Sequence, residues 1–123
     1  MIEIAPLEVS TLFLFREQTH KGRCVVAYKE HAKEIFDLSE TELQAFMRDV
    51  ARAAKAVNEA VHPDKINYGA YADKNPHLHF HIVPKYKDGY CWGGTFEMQP
   101  SKEKQYLTDE EYKELAAKIK SHL

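Results

Sequence analysis

Long apolar runs, glycine-rich stretches and a strong charge of either sign are all missing from this chain of 123 residues. With no apolar run near the ~20 residues of a membrane span, no transmembrane helix is expected. The N-terminus shows no basic-then-apolar leader pattern, so a cytoplasmic protein is the expectation. Net charge is −2 at pH 7, which argues against a general nucleic-acid binder held by bulk charge. A local basic pocket for phosphate is still allowed. Cysteine is scarce: Cys24 and Cys91 follow no close motif and read as two free thiols in a reducing compartment. Repeats, low-complexity tracts and Gly/Ser linkers are lacking too, so a single domain over residues 1–123 is expected. At 44% hydrophobic residues it can bury a proper core without staples.

What is present is punctuated clearly. Ser10 to Phe15 and Cys24 to Tyr28 are rich in aromatic and β-branched residues and read as strands. The polar Gln18-Thr19-His20-Lys21-Gly22 between them reads as a hairpin loop. His31 to Leu38 reads as a short helix. Ser39-Glu40-Thr41-Glu42 is a capping box, in which the Ser39 hydroxyl takes an amide three residues on and Glu42 reaches back. Leu43, Phe46, Met47, Val50, Ala54, Val57 and Val61 follow at helical spacing, up to His62-Pro63. Ile66 to Tyr71 and His77 to Pro84 read as two more strands. Gly89, Gly93 and Gly94 break up the next segment. A second box, Thr108-Asp109-Glu110-Glu111, opens a C-terminal helix with Tyr112, Leu115 and Ile119 on one side. Hairpin-length connections favour an antiparallel sheet with the long and the C-terminal helix packed on it, an α+β architecture.

The stretch His77-Leu78-His79-Phe80-His81-Ile82-Val83 carries the chemistry. Successive side chains of a strand point to opposite faces. His77, His79 and His81 would share one face and leave Leu78, Phe80 and Ile82 for the core. A row of imidazoles can bind a metal, move protons or attack an electrophile. The metal reading meets a length limit: His77 and His81 stand roughly 13 Å apart along a strand rising ~3.3 Å per residue. A zinc ion with ~2.0–2.1 Å bonds to nitrogen would take two of them and recruit His20 or His31. The nucleophile reading needs only one neutral imidazole toward phosphorus, His79, between two polar neighbours. It requires no metal and no cofactor. Three histidines on a merely solvated strand face are the plain alternative.

The same residues resemble the histidine triad (HIT) family, whose signature is His-φ-His-φ-His-φ-φ with φ apolar. The segment fits it at every position, and the likeness runs from about Val9 to Lys85-Tyr86. Pro84-Lys85-Tyr86 is similar to the continuation in bacterial members of the diadenosine-polyphosphate-hydrolase-like and nucleoside-phosphoramidase-like kind. The resemblance implies an α+β fold, a homodimer, and hydrolysis or transfer at the α-phosphate of a purine nucleotide conjugate. It makes His79 the nucleophile of a covalent nucleotidyl-histidine intermediate, with His77 and His81 orienting it and contacting phosphate. A nucleotide-sensing domain of the same fold with little turnover, and a metal-dependent enzyme built on His-x-His ligands, are the other readings. Expected partners are thus a small-molecule nucleotide and a second copy of the chain, with no nucleic acid and no membrane.

Two positions depart from the family. Arg23 stands where many relatives carry a fourth histidine, and it can hold a charge-assisted contact but no neutral-histidine role. Where relatives place an acidic or amide residue on the ribose, the ungapped match is Phe15, and a shortened loop brings Glu17 there. Asn75 matches a small polar residue that touches phosphate in relatives. Lys74 and Lys85 can add positive charge, and Trp92 can form part of a base-binding wall or a dimer contact. The alanines of the long helix, Ala45, Ala51, Ala53 and Ala56, are expected to let a second helix approach closely.

Overall fold

The computed structural model describes residues 1–98 and 103–123. Five strands form one antiparallel sheet: β1 (Ile2–Pro6), β2 (Ser10–Leu14), β3 (Cys24–Tyr28), β4 (Lys65–Gly69) and β5 (His79–Lys85). Their order across the sheet is β1-β2-β3-β5-β4. Helix α1 (Glu40–Val61) crosses between β3 and β4, and α2 (Asp109–Ser121) ends the chain. The architecture is α+β, as the hairpin spacing implied.

Strand alternation sorts the sheet into two faces. Leu12, Leu14, Cys24, Val26 and Ile82 turn to the helices and are fully covered. Phe46, Val50, Ala53, Val57 and Ala60 of α1 meet them, joined by Tyr112, Leu115 and Ile119 of α2. Edge-to-face ring contacts of Phe46 with Tyr28 and Phe80, at 5.4 and 5.8 Å, tie α1 across β3 and β5. Burying a side chain of this size stabilises the fold by about 1.5–3 kcal/mol. Both capping boxes form: Ser39 Oγ accepts from the Glu42 amide at 3.2 Å, and Thr108 Oγ1 from the Glu111 amide at 3.2 Å. Helix α1 stops at His62, which takes a left-handed φ of 50° just ahead of Pro63.

Asp49 is a buried acid on α1 that the sequence pattern did not single out. Its carboxylate accepts from the amides of Glu8 and Val9 and, at 2.6 Å, from the Ser10 hydroxyl. The helix is thereby clamped to the β1–β2 turn.

Four details differ from the sequence expectations. Ile2–Pro6 forms an additional edge strand. The helix expected over His31 to Leu38 reduces to a single 3-10 turn at Ile35–Asp37. Regular pairing of β5 begins at His79, so His77 precedes the strand. Ala45, Ala53 and Ala56 are buried within the protein's own fold. Of the four alanines only Ala51 is exposed, so the small-residue stripe serves the internal packing of α1 rather than an approach by a second helix.

Candidate active site

The face opposite the helices carries the histidines. β5 lies inside the sheet, with β3 and β4 on its two sides. His81 sits opposite Val25 and Gly69, and His79 opposite Ala27. A cavity of about 760 Å³ opens over this face. His77, His79, His81 and Asn75 line it, with Phe15, Val25 and Ala27 as an apolar floor. Tyr71, Ala72, Asp73 and Lys74 from the β4–β5 loop, together with Met1 and Met98, complete the wall. A large pocket, mostly apolar with a few converging polar groups, suits a small organic ligand.

Each ring has one nitrogen committed. His77 Nε2 lies against the Tyr28 carbonyl, which can only accept, so the ring donates there. His79 Nδ1 is 2.7 Å from the His77 carbonyl and must also be a donor. A neutral His79 therefore keeps the lone pair on Nε2. His81 Nδ1 faces Arg23 Nη2 at 3.1 Å. A guanidinium has no lone pair to offer, so here the imidazole accepts and carries its proton on Nε2. The rings of His79 and His81 stand 5.2 Å apart, nearly edge to face.

Arg23 is fully buried. Its guanidinium carbon lies 4.2 Å from the centre of the Phe15 ring and 5.3 Å from that of Phe96, an arrangement that favours a cation. Burial lowers the Arg23 pKa to about 10, against an opposing pull from Glu17, so the group stays charged near neutrality. Burial, then the Arg23 charge and His79, drive the His81 pKa down to about 3. Phe96 reaches this place because residue 69 is glycine. A Cβ there would lie 2.5 Å from the Tyr71 ring and 2.6 Å from that of Phe96.

The structure gathers His77, His79, His81 and Asn75 around the cavity and sets three other expected contacts apart from its lining. Arg23 lies behind His81. Glu17 accepts from the Thr19 amide and hydroxyl and, at 2.7 Å, from the Gln105 amide. Burial would raise its pKa, yet those hydrogen bonds and the Arg23 charge leave it lowered. Lys85 is buried and donates to the Gly94 carbonyl at 2.8 Å. Lys74 lines the cavity, while Trp92 lies at a separate cleft beside Lys85. Val25 and Ala27 were legible as cavity floor from strand alternation alone. Phe96 carried no such signal, since it reaches the site from irregular chain.

A five-stranded α+β sheet with three histidines on and just before an inner strand defines the histidine triad class of protein. The family model described as the HIT domain matches residues 4–88, and the chain belongs to that family. It is 30% identical over 127 residues to adenosine 5'-monophosphoramidase hnt1 of Schizosaccharomyces pombe, covering 99% of this chain and 88% of that relative. Among solved structures, a histidine triad protein of Sinorhizobium meliloti 1021 superposes with a TM-score of 0.89 at 21% identity, over 99% of this chain and 89% of that one. A histidine triad protein of Marinobacter aquaeolei VT8 gives 0.86 at 19% identity, over 98% and 87%.

Proposed function

We propose that the protein is a nucleotide hydrolase or nucleotidyl transferase acting at the α-phosphate of a purine nucleotide conjugate, a phosphoramidate or a dinucleoside polyphosphate. One observation carries this reading: the Nδ1–H of His79 is spent on the His77 carbonyl, which leaves a nucleophilic Nε2 on a ring lining the cavity. The phosphoramidase activity named for the fission-yeast relative supports the substrate class.

The reaction runs in two displacements. The Nε2 lone pair of His79 attacks the α-phosphorus, and the bond from phosphorus to the leaving nitrogen or oxygen breaks. Its electron pair goes to the leaving atom, which takes up a proton from solvent. The nucleotidyl-imidazolium keeps its Nδ1–H on the His77 carbonyl, where the developing positive charge strengthens the bond. Water, or another acceptor in a transferase, then attacks phosphorus and the nitrogen–phosphorus bond breaks. Neutral His79 is restored and the attacking group's proton leaves to solvent. Asn75 and the Nε2–H of His81 donate to the phosphate oxygens, and His77 orients His79 through its carbonyl. Transfer at phosphorus is mostly positioning and charge stabilisation, so such a cradle suffices.

The working form in this reading is a cytoplasmic homodimer that needs no cofactor. The test is a panel of adenosine and guanosine phosphoramidates and dinucleoside polyphosphates, with release of the nucleoside monophosphate measured. Acid quench and intact-mass analysis look for the nucleotidyl adduct on His79. Binding across the panel with no monophosphate released would leave only the sensing alternative.

A further inference from the structure

A full positive charge buried behind a catalytic face is costly unless something requires it. Arg23 is such a charge. It has no carboxylate in hydrogen-bond contact among the described residues, and its Nε has no partner there. Its strongest polar contact by distance is the 3.1 Å one to His81 Nδ1. The others are a 3.4 Å bond to the Glu97 carbonyl and a 3.7 Å contact to Met98 Sδ.

We propose that Arg23 is a positioning residue that fixes His81 as a neutral ring, offering Nε2–H to the cavity and taking no proton during turnover. The part of this that concerns turnover rests on the function proposed above. A guanidinium aimed at Nδ1 forbids a proton there, because donor would face donor across 3.1 Å. Protonating His81 would also set two positive charges side by side. The ring cannot turn away easily. The Phe15 ring stands edge-on at 5.5 Å, and Phe96 lies at 6.4 Å on a tilted plane. Among the described residues, the charged and titratable groups facing His81 are Arg23 from β3 and His79 from its own strand. Glu17, from the segment after β2, acts on Arg23. None of them stabilises a His81 cation.

The consequence is a division of labour. His81 donates a hydrogen bond that does not vary with pH over the neutral range. The proton that the leaving group needs comes from another donor. If Arg23 only filled space, methionine, of similar length and apolar, would replace it without changing the state of His81.

The experiment records long-range proton–nitrogen NMR spectra of the histidine rings of the full-length protein from pH 5 to 8. His81 is assigned by its loss in His81→Gln. Wild type should show His81 as the neutral Nε2–H form throughout. Arg23→Met should give a mixture of ring forms or a titration inside that range. Its kcat should fall roughly tenfold or more with KM within about threefold, and its pH profile should gain a new limb. Arg23→Lys should restore the neutral form in part, and Arg23→Gln should keep the tautomer while easing protonation. Circular dichroism and melting check that each variant folds; should Arg23→Met not fold, the Lys and Gln spectra decide. A wild-type His81 that titrates between pH 5 and 8 or carries its proton on Nδ1, a folded Arg23→Met that keeps the wild-type spectrum, or a folded Arg23→Gln whose His81 protonates no more easily than wild type overturns the proposal. A wild type that turns over none of the panel nucleotides defeats the proposed function, while the spectra still decide the role of Arg23.

Discussion

In the proposed reaction two ring protons divide the work among the histidines. On a neutral His79 the proton sits on Nδ1, which in the proposed reaction frees Nε2 to attack; on His81 the Arg23 contact places it on Nε2. His79→Ala or His79→Asn should therefore lower turnover by several powers of ten while folding and nucleotide affinity persist. A variant that keeps more than about a tenth of the wild-type rate would remove His79 from the nucleophile's role. Acid stability provides a second check at this scale. The folded pKa of His81, about 3, lies below the 6.5 of an ordinary histidine. The unfolded chain thus binds a proton below about pH 6.5 that the folded chain refuses, and stability falls as pH falls. The contribution is complete above 6.5 and drains away down toward 3. Urea melts at pH 7 and pH 5 should show wild type losing stability that His81→Gln does not lose. Equal losses in both proteins would mean that His81 ionises freely.

The elements with regular patterns were legible in the sequence, and the irregular ones were not. Strand β3 matches Cys24–Tyr28 residue for residue, and α1 begins where its capping box places it. Strand β1 carries no strand signal because Ile2–Pro6 has no clean alternation: Ile4 and Ala5 are neighbours, yet both are buried at a register shift. The strand reading placed His77 on β5, but the backbone leaves the ladder before it. The Leu78 amide goes to the Ala32 carbonyl and the His77 amide to the Asn75 carbonyl. The triad was legible as chemistry because three polar rings have no place in a core. The Arg23 cluster was not, since it depends on Phe15, Phe96 and a glycine brought together from three segments. Two substitutions probe these joints. Asp49→Ala would strip three donors of a buried acceptor and should destabilise the fold by about 2–4 kcal/mol in denaturant melts. Gly69→Ala should displace Phe96 and Tyr71 and lower activity through the Arg23–His81 pair. A loss of stability with kcat unchanged would separate Gly69 from the site.

At the level of the whole molecule, chelation and assembly are the two open tests. Two of the three triad imidazoles already spend a nitrogen on a backbone carbonyl, the third spends one on Arg23, and a buried guanidinium beside His81 repels a cation. Activity should accordingly survive exhaustive EDTA treatment, at least in part. Complete loss restored by zinc would bring back the metal-dependent reading, whereas a magnesium effect can act through the substrate phosphates. Assembly follows from the sheet's two edges. β1 is backed by α2, whereas β4 has β5 on one side and no strand on the other among the described residues. Its Tyr68 is half exposed, as is Tyr71 just beyond it. An open edge with exposed aromatic rings invites pairing, and an isologous contact would satisfy two such edges at once by joining β4 to β4. Ala45, Ala53 and Ala56 of α1 are buried, so the alanines no longer favour the helix as partner surface. A two-fold homodimer through β4 is therefore expected, at about twice the 14.2 kDa chain mass in sedimentation or light scattering at micromolar concentration. Because an isologous contact meets every change twice, Tyr68→Lys sets like charges across the axis and should shift the protein toward monomer. A wild-type protein that is active and stable at 14.2 kDa would overturn the dimer. A dimer indifferent to Tyr68→Lys would keep the assembly and move its interface away from this edge.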